Sequence, residues 1–267
     1  MLATMRDRSQ LALLGILLVA LAAFLALSRS SEARPAAADE SESTNTLTDK
    51  EKAAGWKLLF DGKTTTGWRK FKGKSVPDKW RVVDGTLAFS PRGGKEGGDI
   101  VTVDEFGSFE LALEWKIAPA GNSGIMYRVS EEPNAPYESG PEYQLLDNAK
   151  HADGRNPKTC AASCYALYAP KKDMTKPVGE WNKTRLIVKG NRVEHWLNGT
   201  KVVSYELGSD DWVKRVQASK FKDMPKFGKE SKGHIDLQDH GDAIAFRNIK
   251  IRVLKPAGTT SDGNASR

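Results

Sequence analysis

The sequence predicts an all-β chain, an antiparallel β-sandwich or jelly roll, on three observations. Apolar residues recur with period two: in "FELALEWKI" (109–117) Phe109, Leu111, Leu113, Trp115 and Ile117 alternate with Glu110, Ala112, Glu114 and Lys116. Turn dipeptides break the β-rich runs; three such runs within 184–207 are separated by Gly190-Asn191 and by Asn198-Gly199, the latter a strong hairpin signal. Helical patterns with caps are scarce, the best being a short turn near 209–218. Many short strands with turn-rich connections bury their apolar faces by stacking two sheets.

In chain order, Arg6 and Arg8 precede the apolar run "LALLGILLVALAAFLAL" (11–27) and small residues follow it, the order of a secretory signal ending near Ala38. The alternative is an uncleaved anchor, since the run is just short of a comfortable membrane span. Residues 39–54 are Ala, Ser, Glu, Thr and Asp with few large apolar side chains and read as a flexible linker, as does the tail 256–267. Between them, 55–255 is the expected folded unit, with strands near 56–60, 80–89, 109–117, 124–129, 142–146, 184–207 and 244–254. Composition is that of a soluble globular protein, 39% hydrophobic and 28% charged, with no internal repeat.

The net charge of +7 overstates the bias of a processed chain, because residues 1–38 carry four Arg against Asp7 and Glu32. The surplus clusters at 214–232, where seven Lys and Arg outnumber Asp223 and Glu230. Such a run could attract envelope lipids, but a solvated basic loop is expected, and the absence of nucleic-acid motifs excludes a nucleic-acid partner. Cys160 and Cys164 form a local disulfide after export or remain two packed thiols; alone they make no thiolate zinc site.

The polar sides of the strands carry the chemistry. Were four of them neighbours in one sheet, strand 109–117 would contribute Glu110 and Glu114, "GIMYRV" Met126 and Arg128, "PEYQLLD" Glu142 and Gln144, and "HIDLQDHG" Asp236, Gln238 and His240. Antiparallel sheets often have a solvated face. Solvated strands favour Thr, Lys and Ser, however, whereas Glu, Arg, Gln, Asp and His at facing positions read as a converging network suited to sugar hydroxyls.

The motifs "LFDGKTTTGW", "NSGIMYR", "GPEYQLLDN", "HADGRNPKT", "GEWN", "VEHWLNG", "KFKDMPKFGK" and "GHIDLQDHGDAIAFRNIKI" resemble, in order, those of the 3-keto-disaccharide hydrolase domain family, over essentially all of 55–254. The resemblance implies a concanavalin A-like jelly roll, exported to the periplasm or envelope, acting on glycosides whose C3 hydroxyl is oxidised to a ketone. "CAASCYALYAP" departs from the family pattern and puts that loop's contacts in doubt.

Related jelly rolls host retaining glucanases, which need two carboxyls roughly 5–5.5 Å apart. Here the stretch reads Glu142-Tyr143-Gln144-Leu145-Leu146-Asp147, one carboxylate with a non-ionising Gln two residues on. A 3-keto sugar asks for less, because the ketone acidifies the C2 proton: one base forms an enolate, the C1 group leaves, and water adds. Glu142 or His240 is the expected base, with Asp239 orienting His240 or acting as acid. Arg128, Gln144 and Gln238 are expected to orient the sugar and stabilise its oxyanion, with Asn122, Glu114, His151 and Arg247 as further substrate contacts; Arg247 could equally anchor the sheet. No cofactor is assigned, and a divalent metal is possible. His151 and Asp153 with Glu142 and His240 could hold a divalent metal, although their spacing fits no known metal motif. His195, beside Trp196, is expected in the core, as are most tryptophans. The expected partner is a 3-keto-glycoside or other carbohydrate, the expected state a monomer. A non-catalytic carbohydrate-binding module would need exposed aromatics this face lacks, and an envelope adhesion domain would leave it idle.

Overall fold

The structure, a computed structural model, describes residues 44–255, so the expected signal, the first part of the linker and the tail lie outside the described residues. The elements are α1 (Asp49–Ala53), β1 (Lys57–Leu58), β2 (Trp68–Lys70), β3 (Trp80–Val83), β4 (Thr86–Phe89), β5 (Ile100–Thr102), β6 (Phe109–Ile117), β7 (Asn122–Val129), β8 (Glu142–Leu146), β9 (Asn182–Lys189), β10 (Arg192–Leu197), β11 (Thr200–Glu206), α2 (Asp210–Gln217), β12 (His234–Leu237) and β13 (Ile244–Val253). They form two antiparallel sheets. The larger runs β11-β10-β9-β6-β13-β4-β3 with β1 beside β13; the smaller runs β2-β5-β12-β7-β8.

The core lies between the sheets. β6 sends Phe109, Leu111, Leu113, Trp115 and Ile117 inward; opposite stand Ile125, Tyr127, Tyr143, Leu145, Ile235 and Leu237 of the smaller sheet. The Asn198-Gly199 turn has positive φ at both residues, 48° and 82°, matching the right-handed twist of the strands it joins. Ser209 caps α2 through its side chain, accepting from the Trp212 N–H.

Two bulges change which way side chains point. In β13 the register against β6 slips between Arg247 and Lys250, with Asn248 at φ 53°. Inward positions therefore switch from Ile244 and Phe246 to Ile249 and Ile251. In β7 the register against β12 slips opposite His234 and Asp236, with Arg128 at φ 53°.

The later part of the expected linker is ordered. Thr48 and Glu51 close a capping box at the start of α1, and Asn45 exchanges hydrogen bonds with Asn248, 2.6 and 2.8 Å, while donating to the Gly85 carbonyl. Local caps and one buried Asn outweigh a composition that reads as linker. Cys160 and Cys164 are free, buried thiols. Burial pushes the Cys164 thiol up to about 12, which keeps it protonated and unreactive.

Candidate active site

The face of the smaller sheet turned away from the core gathers most of the expected polar residues. Met126 pairs with Asp236 on one side and Glu142 on the other, so these three form one row; Gly124 pairs with Gln144, and the Gln238 N–H donates to the Gly124 carbonyl at 3.0 Å, forming the next. Asn122 follows, its amide nitrogen 3.5 Å from His240 Nε2. Pleating alone places these groups on one face, two residues apart along each strand.

This face is not solvated. Gln144 is 1% exposed, Asp236 0% and Glu142 8%, because loops roof it. The segment 160–168 runs beside β8, with Gln144 N–H donating to the Ser163 carbonyl, Ala162 N–H to the Gln144 carbonyl and Tyr165 N–H to the Glu142 carbonyl. Asn122, Glu142, Gln144, Tyr165, Lys220, Gln238 and His240 enclose a cavity of about 50 Å³. Gly124 makes room for the carboxyl above it: a Cβ there would overlap Glu142 Oε1.

The electrostatics follow from burial. Desolvation raises the Glu142 carboxyl to about 8, opposed by the Lys220 ammonium and reinforced by Asp99 and Asp153. Asp99 is raised to about 7, mainly by burial, and accepts the Asp239 N–H at 2.8 Å. Asp236 is held well above the carboxylate range by burial, then by the charges of Asp99 and Glu142. Asn122 Oδ1, Gln144 Oε1, Gln238 Oε1 and both Asp236 oxygens are buried without a protein hydrogen-bond partner. Four such side chains on one face form a polar surface prepared for something that hydrogen-bonds to it.

His151 stands at the rim, its ring edge-on to His240 at 6.4 Å, while its Nδ1 accepts the Asp153 N–H. Among the described residues no three His, Cys, Asp or Glu are grouped to hold a metal. His195 is a core residue: its Nδ1 lies 3.0 Å from the Ala162 carbonyl, its Nε2 3.2 Å from the Tyr205 hydroxyl, and burial pushes it down to about 4.

Four expected site residues stand elsewhere. β6 belongs to the larger sheet, so Glu114 and its partner Arg247 face outward on the other side of the sandwich, joined at 2.8 Å, and Glu110 pairs there with Arg185 and Arg252. Arg128 is turned by its bulge and donates to the carbonyls of Gly107 (3.1 and 2.9 Å), Gly190 (2.6 Å) and Glu230 (3.4 Å), a clamp across three loops. Asp239 anchors a turn, accepting from Gly98 and Gly241 N–H at 2.7 and 2.9 Å, with no bond to His240. Sequence reasoning in turn passed over Lys220, Tyr165 and Asp99. Asp99 is in line with Val101, which pairs with Asp236; the other two lie in loops without periodicity.

Larger depressions exist, about 420 Å³ on the outer face of the larger sheet beside Glu114, Arg185 and Trp196, and about 820 Å³ among the loops near Asp147 and Lys171. Neither contains the unpartnered buried amide oxygens, and the charged groups of the first are already paired.

Residues 55–252 match the family described as the 3-keto-alpha-glucoside-1,2-lyase-like domain. The chain is 38% identical over 231 residues to the 3-keto-disaccharide hydrolase of Bacteroides thetaiotaomicron, covering 76% of this chain and 79% of that one. It is also similar to a crystal structure from Parabacteroides distasonis, provisionally described as a glycosyl hydrolase, at 39% identity and TM-score 0.73 over 79% of this chain and all of the other (100%). A second structure from that organism, described in the same words, gives 28% identity and TM-score 0.59 over 74% and 99%.

Proposed function

The chain belongs to the 3-keto-alpha-glucoside-1,2-lyase-like family, and from that premise we propose that it is a carbohydrate-active enzyme cleaving 3-keto-glycosides by removal of the C2 proton, elimination at C1 and addition of water. The observation that carries this reading is the Glu142 carboxyl, buried over Gly124 and raised to about 8. A base with a proton affinity near the working pH balances availability against strength. Glu142 therefore takes the proton that the adjacent ketone acidifies.

The unpartnered amide oxygens and His240 supply the rest. Gln238, Gln144 and Asn122, with His240, line the cavity in which the ring edge bearing C1, C2 and C3 is held. At about 50 Å³ the pocket takes only that edge, and the remainder of the sugar and the aglycone project beyond it. The unpartnered amide oxygens accept from the sugar hydroxyls, and the His240 imidazole is the donor set to stabilise the enolate oxygen as it forms. Glu142 is the one carboxylate in the cavity lining, which suits this chemistry, whereas a double displacement needs two at short range. Export is proposed with it, on the apolar run 11–27 and the small residues that follow.

The test is turnover of a 3-keto-glucoside by the purified protein. Glu142→Gln is expected to lower kcat about 10²–10⁴-fold, the usual contribution of a positioned base, while sugar binding persists. For the native protein, kcat/KM is expected to fall as pH drops below about 8, as Glu142 takes up its proton. Sugar binding with no turnover in the native protein would identify a binding module instead.

A further inference from the structure

One lysine borders the site. Lys220 lines the same cavity as Glu142. Its Nζ sits 4.3 Å above the Tyr165 ring and 5.2 Å from the Phe221 ring. Both rings are fixed: the Tyr165 hydroxyl donates to Asp153 at 3.1 Å, its N–H donates to the Glu142 carbonyl, and Phe221 stacks on Phe227 at 4.0 Å. A cation held over an aromatic face is attracted to it while keeping its N–H donors free for other partners.

Its neighbours in the basic run behave differently. Arg215, Lys226 and Lys232 are paired with Asp211, Glu132 and Glu105 at 2.9, 2.7 and 3.0 Å. Lys220 is joined to no carboxylate among the described residues, and the acid whose charge it acts on is Glu142. Because Tyr165 follows Glu142 across the strand while Asn122 and His240 lie about four residues further along β8, Lys220 and His240 mark opposite ends of the site. Both ends reach solvent, since Lys220 and His240 are each exposed; at the Lys220 end a cation with no carboxylate partner stands where an aglycone too large for the cavity can project.

We infer that Lys220 is the proton donor to the departing glycosidic oxygen. This rests on the elimination reading above. Glu142 takes the C2 proton, and the C2–H electron pair enters the enolate. As the enolate collapses, C3=O is restored, C1=C2 forms, and the C1–O pair leaves with the aglycone oxygen, which takes a proton from the Lys220 ammonium. In the second half the neutral Lys220 amine takes a proton from water as its oxygen bonds to C1, and Glu142, its carboxyl proton having exchanged with solvent, protonates C2. Both groups end as they began, and the sum is hydrolysis.

The experiment compares native protein, Lys220→Met and Lys220→Arg on an alkyl 3-keto-glucoside and a 4-nitrophenyl 3-keto-glucoside, with C2 deuterium uptake in D2O followed in parallel. Both variants are expected to lose about 100-fold in kcat/KM on the alkyl substrate and no more than about 3-fold on the nitrophenyl substrate, whose leaving group needs no proton, while C2 exchange continues. Arg keeps the charge but does not give up a proton, so restoration by Lys220→Arg would overturn the assignment in favour of a purely electrostatic role. Equal losses on both substrates, or loss of C2 exchange, would overturn it too. Absence of C2 exchange in the native protein would instead remove the elimination reading itself.

Discussion

Replacing Glu142 by Gln reaches the account through stability as well as turnover. The folded carboxyl titrates at about 8 against an ordinary 4.5. A raised value in the folded state means that the contribution of Glu142 to stability is whole below about pH 4.5 and is lost as pH climbs through about 8. The two values lie roughly 3.5 apart, and at about 1.4 kcal/mol for each tenfold change the ceiling on that loss is about 5 kcal/mol. Gln carries no such loss. It does bury an extra amide N–H₂ at about 1–3 kcal/mol if unpaired, but that cost is the same at every pH and cancels when the two proteins are compared at pH 4.5 and pH 9. Urea unfolding at both pH values is therefore expected to show Glu142→Gln gaining on the native protein by several kcal/mol between them, a shift in Tm of about 2–4 °C for each kcal/mol. A difference between the two proteins that stays constant with pH would refute the claim that burial governs this carboxyl.

Two further substitutions separate the site from its surroundings. Gly124→Ala places a Cβ against Glu142 Oε1 and is expected to lower kcat at least 10-fold while KM changes little, since a displaced base loses its aim on the C2 proton; unchanged kcat would mean that the carboxyl works from another position. Arg128→Ala removes the donor to three loop carbonyls and is expected to cost about 3 kcal/mol in unfolding with turnover per folded molecule unchanged, whereas a selective rise in KM would return Arg128 to the substrate.

Period-two alternation made the two-layer β architecture and the inward and outward sides of β6, β7, β8 and β12 legible, and so Glu142 and Gln144 were found together. Gln238 and Asn122 joined them because those strands stay in register across the site. Alternation says which residues share a side of a strand, not which sheet the strand joins, and Glu110 and Glu114 were misplaced for that reason. A bulge is equally invisible: at Arg128 a positive φ resets the alternation and the residue becomes a structural clamp, and at Asn248 it moves the inward positions of β13 to Ile249 and Ile251. Asp239 lies past the strand end, where backbone N–H groups compete for its carboxylate. Lys220 and Tyr165 reach the site only because their loops fold over β8, a long-range fact with no local signature.

The most direct test of C2 proton abstraction by Glu142 is proton NMR of the native protein turning over a 3-keto-glucoside in D2O. The account predicts one deuterium at C2 of the released 3-keto sugar, and none with Glu142→Gln. Cleavage by the native protein with the original C2 hydrogen fully retained would contradict it.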